Sequence, residues 1–275
     1  MALAIDALNF GGCHTVPEKP DSAPAGTPKA VLLDLDDTIL IDAATVEPCW
    51  RSACEAYAGR LGAAGVEGAL VAIRQESHRY WSDPERNRTG RLDLLAARRD
   101  VVRAAFRRVG ILDDAVATGV ADHYTLERER RVEPAPGAIA TVEALRRKGS
   151  RLALVTNGAA DKQRAKIERY GLASLFDAIL IEGEVGFGKP DPRIFLIACE
   201  RLRVEPCETW MVGDRVNWDI EPAHQLGLGT VWIDVRGDGA SRRAVPADIV
   251  VRSLAQLGEK GFVWTRRGPS LLRQG

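Results

Sequence analysis

The stretch Ala30-Val31-Leu32-Leu33-Asp34-Leu35-Asp36-Asp37-Thr38 passes from an aliphatic run straight into three carboxylates and a hydroxyl. A short apolar run preceded by a Pro-rich segment and followed by polar residues predicts a buried strand whose carboxyl end carries a site. Asp-rich turns after strands are common, so this one gains its weight from three later segments. Val155-Thr156-Asn157-Gly158, Gly188-Lys189-Pro190-Asp191-Pro192, and Val212-Gly213-Asp214 with Asp219 bring complementary groups in comparable places.

Working outward, residues 1–29 contain Gly11-Gly12 and four prolines with little periodicity, which predicts a flexible or irregular N-terminal arm. After Asp36 the chain is expected to make a tight excursion through Thr38-Ile39-Leu40-Ile41. From Asp42 to Pro134 the pattern turns helical. Segments begin near Glu47-Pro48, run over Gly68 to Trp81, Leu92 to Val109 and Asp113 to Arg131, and are broken by a polar stretch, Ser82 to Gly90, that reads as a loop. This predicts an all-helical cap domain, residues 42–134, inserted after the first strand.

Pro134 and Pro136 mark the return, after which helices and strands alternate. Strands are predicted at Arg151 to Thr156, Ala178 to Ile181, Thr209 to Val212, Thr230 to Ile233 and Ile249 to Val251. Helices are predicted at Ile139 to Lys148, Asp161 to Tyr170, Arg193 to Leu202 and Ile220 to Leu226. Asp191-Pro192 supplies an N-cap and a first-turn proline for the third of these. Alternation of this kind implies an α/β fold: a three-layer, Rossmann-like parallel sheet core built from residues 30–41 and 135–258. The basic tail, residues 259–275, is expected to be mobile.

The 275 residues hold 38 Lys+Arg against 38 Asp+Glu, so no global field draws in nucleic acid or an anionic membrane. Five cysteines without a CxxC pair fit neither a disulfide framework nor a zinc site. With neither a secretory leader nor an apolar run of membrane-spanning length, the sequence predicts a soluble, cytoplasmic protein. Oligomeric state is not legible.

In an open parallel sheet the carboxyl ends of the strands share one edge, so Asp34, Thr156 and Asp214 are expected to converge. Carboxylates, a hydroxyl, exposed amides and one lysine at such an edge suit a phosphate ester. Each carboxylate facing a phosphate dianion meets repulsion of about 4 kcal/mol per charge pair at ~4 Å, so the site needs compensation. Asp34 and Asp214 offer hard oxygen ligands for Mg²⁺, and Lys189 neutralises the other side. Taken singly, Thr156-Asn157-Gly158 reads as a turn, Lys189 as a solvated loop residue, and Asp214 and Asp219 as a cap and a surface charge. Their joint order carries the argument.

Together these segments resemble the haloacid dehalogenase (HAD) superfamily, whose four motifs occur in this order with DxDxT first; the likeness spans about residues 30–251. The insert resembles a C1 cap, and Leu154 to Gly158 resembles the neuraminate-phosphate phosphatase and pyrimidine nucleotidase branch. The resemblance implies Mg²⁺-dependent hydrolysis of a small phosphomonoester, a sugar phosphate or nucleotide. It implies Asp34 as nucleophile and Asp36 as acid and base. The metal would be held by Asp34, the carbonyl of Asp36 and Asp214, with Thr38 and Asp219 in support. Thr156 and the amide of Asn157 would cradle phosphate, and Lys189 would hold the transferring oxygens. Three alternatives stand beside it: a 2-haloacid dehalogenase, whose branch lacks the second aspartate that Asp36 supplies; a phosphonate hydrolase, which uses a cap lysine where this insert has none; and a non-catalytic binding module on the same fold. Arg86 and Arg88 are candidates for reaching the substrate's leaving group.

Overall fold

Strand β1 (Ala30–Leu33) is fully buried and pairs in parallel on both sides, so that Leu33 faces both Leu154 and Val212. A strand with two paired edges and two covered faces has no place for a polar residue, which is why its sequence is uniformly aliphatic. The computed structural model describes residues 28–235, 237, 247–259 and 262–266. Helix α1 (Val46–Ala56) and the helices that follow, α2 (Gly65–Ser82), α3 (Pro84–Gly90), α4 (Leu94–Arg108) and α5 (Asp114–Arg131), lie between two short strands, β2 (Leu40–Ile41) and β3 (Glu133–Pro134). These strands pair antiparallel, so the chain enters and leaves the helical segment through one two-stranded ribbon. Leu35 O accepts from the amides of both Ile39 and Leu40, which closes the tight excursion between β1 and β2.

The remainder alternates: α6 (Ala138–Arg147), β4 (Arg151–Thr156), α7 (Ala160–Arg169), β5 (Ala178–Ile181), α8 (Glu182–Val185), α9 (Pro192–Leu202), β6 (Thr209–Gly213), α10 (Glu221–Gln225), β7 (Gly229–Ile233) and β8 (Ile249–Val251). The main sheet has the order β5-β4-β1-β6-β7-β8, and every adjacent pair is parallel. Successive residues of β1 point to opposite faces. Val31 and Leu33 join a cluster with Val142 and Leu145 of α6 and Ile167 of α7, whereas Ala30 and Leu32 join Ile194, Phe195 and Ala198 of α9. That division makes three layers, as the alternating pattern predicts. The insert keeps its own apolar cluster, with Trp50, Ile73, Phe106, Val120 and Tyr124 among its members.

Two readings of the sequence are corrected. The polar stretch after Ser82 is the helix α3, not a loop. Asp83 accepts from the Arg86 amide at 2.9 Å, Pro84 opens the first turn, and Asn87 Nδ2 donates to Trp81 O at 3.0 Å, so local capping replaces a hydrophobic face. Likewise residues 262–266 of the basic tail dock on the core. Trp264 meets Trp210 edge to face at 5.1 Å, and Arg266 donates to the carbonyls of Gly227 and Cys207 at 2.9 and 2.7 Å. Most of the N-terminal arm, residues 1–27, and residues 267–275 fall outside the described residues.

Candidate active site

Three neighbouring strands deliver the central groups to one edge of the sheet. Asp34 follows β1, Thr156 ends β4 and Asp214 follows β6, and in the order β4-β1-β6 these ends are side by side. The Asp34 amide donates to Val212 O at 3.0 Å, which fixes the height of the carboxylate above the sheet. A cavity of about 130 Å³ opens here, lined by Asp34, Asp36, Asp37, Thr156, Asn157, Lys189, Asp214, Arg215 and Trp218.

Lys189 is the electrostatic pivot. Its side chain is 2% exposed, and Nζ lies 2.7 Å from Asp34 Oδ1 and 2.6 Å from Asp219 Oδ1. Burial alone would depress the ammonium, but the carboxylates of Asp219 and Asp34 reverse this and raise it. Asp219 uses its other oxygen to accept from the Arg215 amide at 2.9 Å. It sits against β6 only because residue 213 is glycine: a side chain there would overlap the Asp219 carboxyl group. Loop and strand are pinned by Asn157, whose Oδ1 accepts from the Lys189 amide at 2.8 Å while Nδ2 donates to the Lys189 carbonyl at 2.7 Å. The Asn157 side chain is thereby occupied, and its backbone amide remains the group available to an anion.

One lysine does not balance this edge. Carboxylate oxygens of Asp34, Asp214 and Asp219 come within 4.8 Å of one another. Burial, followed by the charges of Asp34 and Asp219, pushes Asp214 up to about 8. Burial pushes Asp34 up to about 7 even though Lys189 opposes it. Asp214 Oδ1 is buried with no hydrogen-bond partner among the described residues. An orphaned hard oxygen beside two more carboxylates is the donor set a small divalent cation takes, so the residues present fit Mg²⁺.

The carboxylate of Asp36 is turned toward α7. Lys166 Nζ lies 2.7 and 2.9 Å from its two oxygens, and Gln163 Nε2 donates to it at 3.0 Å. Burial works against ionisation, but Lys166 and Gln163 outweigh it and hold the Asp36 carboxyl below its usual range. Gln163 also donates to Thr156 Oγ1 at 2.6 Å. Thr156 Oγ1 thus accepts from Gln163 and makes a longer contact, at 3.4 Å, as donor to the Asn157 carbonyl. Thr38 is buried, and its hydroxyl has no hydrogen-bond partner among the described residues. Asp37, in the left-handed region at φ 59°, lines the cavity and accepts from the Asp42 amide at 3.0 Å.

Sequence reasoning missed Lys166 and Gln163. They are spaced i, i+3 on a helix of low apolar content, a pattern indistinguishable from a solvated face. It also missed Arg91, which follows α3 and reaches across to the core. Arg91 donates through Nε and Nη2 to the two oxygens of Glu182, both at 2.6 Å, and Glu182 accepts from the Gly158 amide at 3.0 Å. The Arg91 guanidinium also lies 5.4 Å from the centroid of Trp218, at the cavity mouth. Arg88 instead pairs with Glu85 on an exposed surface, and Arg86 lies over Tyr80. Because the Glu182 side chain is 4% exposed, removing its partner strands a buried charge. Arg91→Met is expected to lower stability by about 3–5 kcal/mol, and a denaturation midpoint equal to that of the wild type would show that the pair is dispensable.

A doubly covered parallel sheet with this acidic strand edge defines a hydrolase class, and the chain belongs to it. Residues 28–227 match the haloacid dehalogenase-like hydrolase family. Among its relatives, phosphoserine phosphatase of Thermus thermophilus is 37% identical over 226 residues, 75% of this chain and 88% of that protein. Glyceraldehyde 3-phosphate phosphatase of Methanopyrus kandleri is 34% identical over 210 residues, 74% and 83% of the two chains. Human N-acylneuraminate-9-phosphatase matches at 45% over 92 residues, only 33% of this chain and 37% of that protein, so the expected branch likeness is a partial one. A solved 2-haloacid dehalogenase from Pseudomonas syringae superposes with a TM-score of 0.56 at 29% identity, covering 84% of this chain and 96% of the other. The protein is therefore a HAD-like hydrolase with phosphatase homologues, on a fold that dehalogenases share. None of the described helices is long and apolar enough to cross a membrane.

Proposed function

We propose that the protein is a Mg²⁺-dependent phosphomonoester hydrolase that acts on a small phosphorylated metabolite through an aspartyl-phosphate on Asp34. The observation that carries this reading is the convergence of Asp34, Asp214 and Asp219, with Lys189 paired to Asp34 and Asp219 and one Asp214 oxygen left without a partner among the described residues. In this reading Asp34 and Asp214 hold the metal together with the Asp36 carbonyl, and Asp219 supports them through Lys189. When bound, the ion neutralises the carboxylates and polarises the phosphoryl oxygens.

The other steps fall to the chain itself. Thr156 Oγ1, the Asn157 amide and Lys189 Nζ hold the phosphoryl oxygens, an arrangement of donors that matches a phosphate rather than a neutral group. An Asp34 oxygen forms a bond to phosphorus as the bond to the leaving oxygen breaks, and Asp36 gives that oxygen a proton. Water then attacks phosphorus, Asp36 takes its proton, and the bond to Asp34 breaks. Lys166 favours the ionised form of Asp36, which suits the second half of the cycle; the charge of a bound phosphate ester shifts Asp36 toward the protonated form for the first half. The helical residues 42–134 act as a cap over this edge, joined to it by the β2–β3 ribbon and by Arg91. Asp36 also favours this reading over a dehalogenase, which has no need of a second acid.

Chelation tests it. Activity toward p-nitrophenyl phosphate is expected to vanish in EDTA and return with Mg²⁺, and full activity in chelator would sink the assignment. A second readout needs no turnover. Asp34 and Asp214 rise from 3.8 to about 7 and about 8, so between those limits the folded chain keeps protons that the unfolded chain has released. Their contribution to stability is then complete below about pH 4 and is lost as pH rises through 7 to 8. Mg²⁺ binds the deprotonated forms, so it is expected to raise Tm more at pH 8 than at pH 5.5. An equal shift at both values would place the ion elsewhere.

A further inference from the structure

At the foot of the helical insert, the described residues bring two guanidiniums together over one aromatic ring, with a carboxylate paired to one of them. Arg128 of α5 is 5% exposed, and its Nη2 pairs with Asp42 Oδ2 at 2.5 Å. Its Nε and Nη1 are buried without a hydrogen-bond partner. Arg98 of α4 makes one hydrogen bond in this cluster, from Nη1 to the neutral Thr125 Oγ1 at 3.2 Å. Both guanidiniums lie over the Tyr124 ring, 5.1 and 5.8 Å from its centroid, and Tyr124 is backed by Trp50, stacked at 3.5 Å. The nearby acids are otherwise engaged: Glu127 with Arg130 and Arg131, and Glu129 with Lys162.

Two buried or half-buried cations, of which only Arg128 pairs with a carboxylate, leave a positive charge and several donors unanswered, which folding alone does not reward. Burial lowers the Arg98 guanidinium from its usual value, and Arg128 adds to the effect. The cluster also adjoins the reaction. Asp42 donates its amide to Asp37, which lines the cavity with Asp34, and the charge of Arg128 acts on Asp36. Asp36 is the group that faces the leaving oxygen in the proposed reaction, so this side of the cavity receives the leaving alcohol.

We infer that Arg98 and Arg128 are specificity residues that receive a second anionic group, a carboxylate or a further phosphoryl group, carried by the leaving alcohol of the substrate. The inference rests on the phosphatase reading above. A rigid two-pronged donor matches either anion, and the aromatic floor of Tyr124 holds the guanidiniums in plane.

Matched esters decide it. kcat/KM is compared for 3-phosphoglycerate against glycerol 3-phosphate, and for fructose 1,6-bisphosphate against fructose 6-phosphate, in the presence of Mg²⁺. The wild type is expected to favour the doubly anionic member of at least one pair by about tenfold or more, and the pair that shows it names the anion. Arg98→Met is expected to bring that ratio toward one, and Arg98→Lys to keep part of it. Arg128→Met, if it folds, should act in the same direction. Absence of preference in both pairs, or a ratio unmoved by Arg98→Met, overturns the inference while leaving the phosphatase reading intact. If no phosphate ester is hydrolysed, the phosphatase reading fails and this one with it.

Discussion

Asp34→Asn is expected to cut turnover of every phosphate ester by at least about 10⁴-fold and to leave no covalent phosphoenzyme on acid quenching. Asn keeps the size of the side chain and can still accept from Lys189 Nζ, so the change isolates nucleophilicity from packing. Asp34 is 7% exposed, held from two sides by its own amide on Val212 O and by Lys189 at 2.7 Å, and lines the cavity. Replacing a carboxylate that burial pushes up to about 7 by a neutral amide removes an unfavourable buried charge. The variant should therefore be at least as stable as the wild type in chelator at pH 8, which separates loss of chemistry from loss of fold. Residual burst phosphorylation in the purified variant would move the nucleophile to another group. Asp214 is the next candidate to test, because its orphaned oxygen lies in the same cluster.

How much of this was legible in the sequence depended on whether a group sits where the backbone alone can place it. Asp34, Thr156 and Asp214 follow or end strands whose apolar runs are short and clearly bounded, and parallel pairing forces their ends together. Lys189, a solvated loop residue when read singly, was legible only through the joint order of the four segments. The supporting contacts depend on side chains crossing between elements remote in sequence. Lys166 reaches Asp36 over 130 residues and Arg91 reaches Glu182 over 91, and no periodicity encodes either distance. The same limit applies to Arg98 and Arg128, whose meeting over Tyr124 depends on side chains from two different helices. Helix α3 was hidden for a different reason: it has almost no apolar face, and its start is written in one capping aspartate and one proline.

In the proposed mechanism Asp36→Asn should fail differently from Asp34→Asn, because it spares the nucleophile and removes proton transfer. The loss is expected to be about 10²–10⁴-fold for an alkyl phosphate, whose alkoxide leaves poorly without a proton. With p-nitrophenyl phosphate the leaving group needs little protonation, so Asp34 can still be phosphorylated while hydrolysis of the aspartyl-phosphate is slowed. Rapid-mixing kinetics should then show a burst of p-nitrophenol of about one equivalent per site, followed by slow turnover. The contacts of Asp36 sharpen the expectation. Lys166 and Gln163 hold its carboxylate toward α7 in the resting site, and an Asn side chain loses the ion pair with Lys166 while retaining one acceptor for Gln163. Freed from Asp36, the Lys166 ammonium is left near the cavity proposed to take a phosphate dianion. KM for p-nitrophenyl phosphate should therefore not rise, even as the steady-state rate falls. A proportional loss of both phases on both substrates would instead mean that Asp36 acts through the metal position. Wild-type rates on both would remove it from proton transfer, and with it the clearest chemical distinction between this site and that of a dehalogenase.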